Sequence, residues 1–278
     1  MAKFSAIQMA SGPNISANLS EAERLIKMSV DSGAELVVLP ENFAHMGMKN
    51  EDILQVAEDT ENPGEILEFL SNCAKQYGIW LLGGTVPLKT DDPQKTLSAS
   101  ILYNAQGEQV ARYNKIHLFD MDLSEASGAY HESSFTKAGS DVITIDSPFG
   151  KLGIAICYDI RFPELFRKMT KNGMEILLIP SSFTAITGQA HWEILNRSRA
   201  IENLCYVVAS AQGGYHVNGR ETYGHSMIIS PWGKVLDQLN SGSGFVIADV
   251  DKSFVEETRN NFPVLEHRKL ICNFTEIK

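Results

Sequence analysis

Three side chains of complementary chemistry follow apolar runs in this sequence. Glu41 comes after Val37-Val38-Leu39-Pro40, Lys115 after Val110-Ala111-Arg112-Tyr113, and Cys157 closes Gly153-Ile154-Ala155-Ile156. Ligands in open α/β sheets gather at the carboxyl ends of strands, so all three stand where that class does its chemistry. A thiol with an ordinary pKa of about 8.5 is a poor nucleophile until a base takes its proton. A carboxylate can accept and return that proton, and an ammonium can stabilise the oxyanion of a tetrahedral intermediate. The trio therefore suits acyl transfer through sulfur. Each member also has a plainer reading: a small buried hydrophobe for the cysteine, a loop charge for the glutamate, a solvated surface group for the lysine. Spacing alone does not separate the two.

The elements around these residues must position them. Residues 4–9 read as a strand, and Leu19, Ala22, Ile26 and Val30 mark one face of a helix ending near Gly33. Glu35-Leu36-Val37-Val38-Leu39-Pro40 suits a strand buried on both faces. Asn62-Pro63-Gly64-Glu65 predicts a helix start, with Asn62 as cap, Pro63 first and Glu65 third. Ile66, Leu70, Cys73 and Tyr77 carry that helix to Gly78. A strand at 79–84 and a hairpin turning at Gln106-Gly107 follow. The order then begins again. A strand at 152–157 leads to a helix from Pro163 to Gly173, a strand at 175–183, a helix at 191–203, a strand at 205–209 and a hairpin at Trp232-Gly233. Glu175-Ile176-Leu177-Leu178-Ile179-Pro180 echoes Glu35-Leu36-Val37-Val38-Leu39-Pro40 at an offset of 140. Such an order implies α/β layering, with parallel strands joined by right-handed helical crossovers. Two such halves can stack sheet on sheet with helices outside, a four-layer α-β-β-α sandwich. No linker rich in Gly, Ser or Pro divides them, so 1–278 reads as a single domain and 116–150 as an ordered connection beside the site.

Bulk properties narrow the function classes. The 278 residues are 44% hydrophobic and 21% charged, proportions of a globule rather than of a disordered, collagenous or coiled-coil chain. A net charge of −10 repels phosphate backbones and anionic lipid, which argues against nucleic acid and membrane as partners. The amino terminus has no signal-peptide pattern, and no apolar run approaches the ~20 residues that span a bilayer. Cys73, Cys157, Cys205 and Cys272 are far apart, so reduced thiols and a cytoplasmic location are expected. Metal-binding spacings (H-E-x-x-H, C-x-x-C) and glycine-rich phosphate loops are missing, so neither metal nor cofactor is expected. Gly224-His225-Ser226-Met227-Ile228 begins like a serine nucleophile elbow but lacks its closing glycine. None of the seven histidines stands in a cysteine-protease motif.

Three longer blocks bear on the plainer readings. Leu39-Pro40-Glu41-Asn42-Phe43, Asn114-Lys115-Ile116-His117-Leu118-Phe119-Asp120 and Gly153-Ile154-Ala155-Ile156-Cys157-Tyr158-Asp159-Ile160-Arg161-Phe162-Pro163-Glu164-Leu165 closely resemble, in order, the three motifs of the nitrilase superfamily of carbon–nitrogen hydrolases. His191-Trp192-Glu193 and Tyr223-Gly224-His225-Ser226-Met227 extend the resemblance over nearly the whole chain. It implies an α-β-β-α sandwich that forms homodimers or larger homo-oligomers. It also implies that Glu41 is the general base, Lys115 the transition-state stabiliser and Cys157 the nucleophile, with the Tyr158 backbone N–H as second oxyanion donor. Glu132, in Tyr130-His131-Glu132-Ser133, matches the supporting glutamate that positions the lysine. In the implied reaction Glu41 takes the thiol proton, sulfur attacks an amide carbonyl, Glu41 protonates the departing ammonia, and water then releases the acid from the thioester.

Within the superfamily, the stretch from Cys157 to Gly233 is most similar to the amidase branch acting on deaminated glutathione. Omega-amidases, which act on 2-oxoglutaramate and 2-oxosuccinamate, are close relatives. Arg161 and Thr187 match positions that bind a 2-oxo acid carboxylate there, and Phe183 lines the same pocket; a guanidinium fork suits a carboxylate. The plainer reading of Arg161 is a pairing with Asp159 or Glu164 at its helix start. Gly213-Gly214 and the tail His267-Arg268-Lys269-Leu270-Ile271-Cys272 depart from the branch's usual residues. An inactive scaffold and an acyl transferase are the rival readings, and the intact Glu41, Lys115 and Cys157 set weighs against the scaffold.

Overall fold

In the computed structural model, which describes residues 1–122 and 129–270, the repeated pattern becomes two sheets of matching topology. The first half runs β1 (Ala2–Gln8), α1 (Ile15–Asp31), β2 (Leu36–Val38), α2 (Glu65–Tyr77), β3 (Trp80–Leu82), β4 (Val86–Lys89), β5 (Thr96–Tyr103) and β6 (Gln109–Asn114). β7 (Asp120–Asp122) and β8 (Ala129–His131) form a small antiparallel ribbon. The second half runs β9 (Thr144–Ser147), β10 (Gly150–Ile154), α3 (Pro163–Lys171), β11 (Ile176–Ser181), α4 (Ala185–Asn203) and β12 (Tyr206–Ala211). A second ribbon of β13 (Gly213–Tyr215) and β14 (Glu221–Tyr223) follows, then β15 (Met227–Ile229), β16 (Val235–Gln238), β17 (Gly244–Val250) and α5 (Lys252–Asn261). Part of the 116–150 connection, residues 123–128, lies outside the described residues, as does the tail from Ile271 with Cys272.

The strands β1, β2 and β3 pair in parallel, as do β10, β11 and β12, and each trio continues into an antiparallel hairpin. Phe4 lies beside Leu36 and Leu36 beside Trp80; likewise Leu152 lies beside Ile176 and Ile176 beside Tyr206. β17 returns to pair antiparallel with β1, Ala2 opposite Val250, and so fills in the first sheet the place that β9 fills in the second. Nothing in local periodicity marks that pairing, because the partners sit at opposite ends of the chain.

Successive residues of a strand point to opposite faces, and here both faces are covered. Phe4, Ala6, Leu36, Val38 and Leu82 enter one core with residues of the second sheet such as Ile154 and Leu178. Ile7, Val37, Leu39 and Leu81 pack against Leu25 and Ile26 of α1 and Ile66 and Leu70 of α2. Double-sided burial is why these strands read as unbroken apolar runs. β1 and β2 lie on β11 and β12, with α1 and α2 outside the first sheet and α3 and α4 outside the second. The result is the α-β-β-α sandwich. No described helix is long and apolar enough to cross a membrane.

Two helix starts differ from expectation. α2 begins at Glu65 with Gly64 as cap, not with Asn62, because the Glu58 carboxylate accepts the free N–H groups of Ile66 (2.8 Å) and Leu67 (3.0 Å). α4 begins six residues before His191, where Thr184 caps it by accepting from the N–H of Thr187.

Candidate active site

Glu41 lies just beyond β2, on a bend held from both halves. The β3 exit passes so close that a Cβ on Gly84 would lie 2.1 Å from the Pro40 oxygen. Asn42 adopts a left-handed φ of 58° and donates its N–H to Thr85 Oγ1 at 2.8 Å. Gln212 Nε2, reaching over from the end of β12, donates to the Glu41 carbonyl at 3.0 Å. Lys115 directly follows β6. Its N–H donates to the Ser98 carbonyl (2.9 Å) and its carbonyl accepts from the Gly139 N–H (2.8 Å). The side chain is 2% exposed; Nζ donates to Glu41 Oε1 at 2.8 Å and to Glu132 Oε2 and Oε1 at 2.8 and 3.0 Å. Glu132, opening a single turn after β8, also accepts the Phe119 N–H at 2.7 Å.

Cys157 is not the last residue of its strand, as the apolar run suggested. β10 ends at Ile154, and Cys157 opens a 3-10 turn, Cys157–Arg161, at a φ of 45°. A non-glycine residue in that region costs about 1–3 kcal/mol, which the surroundings must offset. Asp159, fully buried, supplies the restraint. Its Oδ2 accepts from the Ile156 N–H (2.8 Å) and the Tyr113 hydroxyl (2.7 Å), and its Oδ1 from the His117 N–H (3.0 Å) and Nδ1 (2.7 Å). The His117 ring stacks on Phe162 at 3.7 Å. One carboxylate thus ties the turn bearing Cys157 to the segment bearing Lys115.

Electrostatics follow from this geometry. Burial opposes the Lys115 ammonium, but Glu132 and Glu41 outweigh it and hold its pKa well above the ordinary value. Burial first, and Glu41 next, push the Cys157 thiol well up, against a partial pull from Lys115 and the Ser182 backbone. Burial also raises the Glu132 carboxyl, opposed by Lys115. Cys157 therefore rests as a thiol beside Glu41. A thiol in that state can attack only if a general base takes its proton as it does so, and a neighbouring carboxylate is suited to that task.

A cavity of about 150 Å³ is lined by Glu41, Lys115, Glu132, Cys157, Ser182 and Thr184, and also by Lys49, Asn50 and Arg220. The three catalytic candidates and Glu132 are thus brought together. Tyr158 follows Cys157 in the turn, its ring edge-on to Phe119 at 5.1 Å. Arg161, Phe183 and Thr187 do not line this cavity. They gather around Tyr158 and the start of α4. The Arg161 guanidinium lies over the Tyr158 and Phe183 rings (5.7 and 5.3 Å), near His191 Nδ1 at 3.2 Å, and its buried Nε has no partner among the described residues. It pairs with neither Asp159 nor Glu164, the former being engaged by Ile156, Tyr113 and His117. Phe183 packs on Trp192 at 4.9 Å, and Thr187 Oγ1 lies 2.8 Å from Thr184 Oγ1. Sequence reading gives Tyr113, His117, Gln212 and Arg220 no role and Asp159 only a pairing with Arg161, because most of their partners are distant in the chain. Among the described residues no group of three or more His, Cys, Asp or Glu side chains could hold a metal ion.

With the geometry in place, comparison with known proteins points one way. The carbon-nitrogen hydrolase family model matches residues 3–260. A deaminated glutathione amidase of Synechocystis is 40% identical over 272 residues, 96% of this chain and 97% of that protein. The crystal structure of Caenorhabditis elegans NitFhit superposes with a TM-score of 0.89 at 38% identity, over 97% of this chain and 66% of that one. Saccharomyces cerevisiae Nit3, described as a member of branch 10 of the nitrilase superfamily, superposes with a TM-score of 0.86 at 31% identity, over 97% of both.

Proposed function

Because the chain belongs to the carbon–nitrogen hydrolase family, we propose that it is a thiol amidase acting on deaminated glutathione through a thioester on Cys157. The observation that carries this reading is the meeting of Glu41, Lys115, Glu132 and Cys157 in one cavity. Glu41 accepts the Cys157 proton as sulfur attacks the amide carbon. Lys115 and the Tyr158 backbone N–H stabilise the oxyanion, an effect of about 3–4 kcal/mol per donor. Glu132 holds Lys115 in place. Collapse of the tetrahedral intermediate breaks the carbon–nitrogen bond while Glu41 returns its proton to nitrogen, and Glu41 then activates water against the thioester. Ammonia was the expected leaving group, and it is so for a primary amide. In deaminated glutathione the amide nitrogen joining the 2-oxo acyl group belongs to cysteinylglycine, so the departing group is a dipeptide amine.

Arg161, with its unpartnered Nε beside Phe183, is in this reading the carboxylate anchor for the 2-oxo acid, supported by Thr187. The two halves act as one domain in a reducing, cytoplasmic setting, in keeping with the free thiols of Cys73, Cys157 and Cys205. The exposed Ile194, Ile201, Trp232 and Phe262 favour a homodimer or larger homo-oligomer, which light scattering on the purified chain checks; a monomer throughout would remove that part. The test of substrate is a parallel assay with deaminated glutathione, 2-oxoglutaramate and 2-oxosuccinamate, following the 2-oxo acid together with cysteinylglycine or ammonia. Preference for deaminated glutathione is expected. Faster turnover of 2-oxoglutaramate would make the chain an omega-amidase, and comparable rates on a plain nitrile would overturn the amidase reading.

A further inference from the structure

We infer that Arg220 is the specificity-determining anchor for a carboxylate on the departing amine, so that the site selects amides whose leaving group is itself anionic. This rests on the amidase reading above. Three cations line the cavity among the described residues, Lys115, Lys49 and Arg220. Lys115 is already held by two carboxylates, and Lys49 lies 3.9 Å from Glu51 in solvent. Among the described residues the direct contacts of Arg220 are with neutral groups: its guanidinium sits 5.3 Å over the Tyr130 ring, and Nη2 donates to Asn50 Oδ1. No ion pair neutralises it among the described residues. A guanidinium stacked on an aromatic ring is oriented while its remaining N–H donors stay available, the arrangement suited to a carboxylate.

Its position in the fold says which carboxylate. Arg220 is half-buried on the loop between β13 and β14, and Asn218 of that loop donates to the Gly47 carbonyl at 2.7 Å, beside exposed Lys49 and Asn50. Glu41, Lys115 and Cys157 lie deep. During turnover the acyl group stays on sulfur while the amine leaves and water takes its place. The amine must therefore occupy the side open to solvent, where Arg220 stands. Arg161 closes the turn that Cys157 opens, and in the proposed reading it serves the acyl side.

The test compares wild type and Arg220→Gln on deaminated glutathione and on its analogue with the glycine carboxylate converted to a carboxamide. In wild type the carboxylate should improve kcat/KM by about tenfold or more, through KM, as expected for a charge-assisted pair. In Arg220→Gln that preference should fall below about twofold, and Arg220→Lys should restore part of it, a point charge replacing a fork. Damage to the loop alone would slow both substrates equally and leave the preference intact. An undiminished preference in Arg220→Gln, or none in wild type, would overturn the inference while leaving the amidase reading standing. A wild-type enzyme that cleaves neither compound would refute the substrate reading, and this inference with it.

Discussion

Replacing Asp159 by asparagine tests how the backbone at Cys157 is held. The two carboxylate oxygens each receive one backbone N–H, from Ile156 and from His117, together with one adaptable side-chain group. An asparagine must place its NH₂ at one of these positions. The Tyr113 hydroxyl can rotate, and His117 can change tautomer, but a backbone N–H cannot. Either orientation therefore leaves a buried N–H, of Ile156 or of His117, facing another donor. Losing one charge-assisted hydrogen bond with an unsatisfied buried donor costs about 1.5–3 kcal/mol, or roughly 3–6 °C in Tm for a chain of this size. If the Ile156 end gives way, the φ of 45° at Cys157 loses its restraint and the sulfur retreats from its line of attack. Misplacement by about 1 Å costs on the order of a hundredfold in rate. Thermal unfolding and steady-state kinetics on Asp159→Asn should show both losses, with kcat falling far more than KM rises. A variant with kcat within about twofold of wild type and an unshifted Tm would refute the idea that Asp159 maintains the nucleophile's backbone.

Other perturbations separate the roles of the charged groups. Glu132→Gln removes one charge from Lys115 while keeping an acceptor for the Phe119 N–H; kcat should drop about 10–100-fold with KM little changed, and an equal loss in KM alone would argue against positioning of the lysine. Iodoacetamide should label Cys157 ahead of the buried Cys73 and Cys205, both pushed up to about 12. Because Cys157 is itself raised, its labelling should still accelerate above about pH 9; a rate flat between about pH 6 and 8 would reveal a stored thiolate instead. The folded pKa of Lys115 lies above its unfolded value of about 10.4. Its stabilisation is therefore complete below that value and lost as pH rises through the folded one, so alkaline unfolding traced by circular dichroism should begin only above about pH 10.

Much of this molecule is legible in its sequence because its strands are buried on both faces. Val37-Val38-Leu39 and Leu177-Leu178-Ile179 are unbroken apolar runs for that reason, and their echo discloses the two-sheet repeat. What stays hidden is tertiary. Asn62 looks like a cap until Glu58, on a separate segment, satisfies the helix instead. Cys157 looks like a strand end because a positive φ leaves no mark on hydropathy. Asp159, Tyr113, His117 and Gln212 gain their meaning only from partners in the other half of the chain. Arg161 and Arg220 are equally plausible anions' partners by residue type, and only the cavity wall distinguishes them.

The central claim is that Cys157 forms the thioester. The direct measurement is turnover of deaminated glutathione by Cys157→Ala, alongside its thermal unfolding. The account predicts no detectable release of cysteinylglycine from a protein that unfolds at the wild-type temperature, whereas sustained release by that folded variant would contradict it.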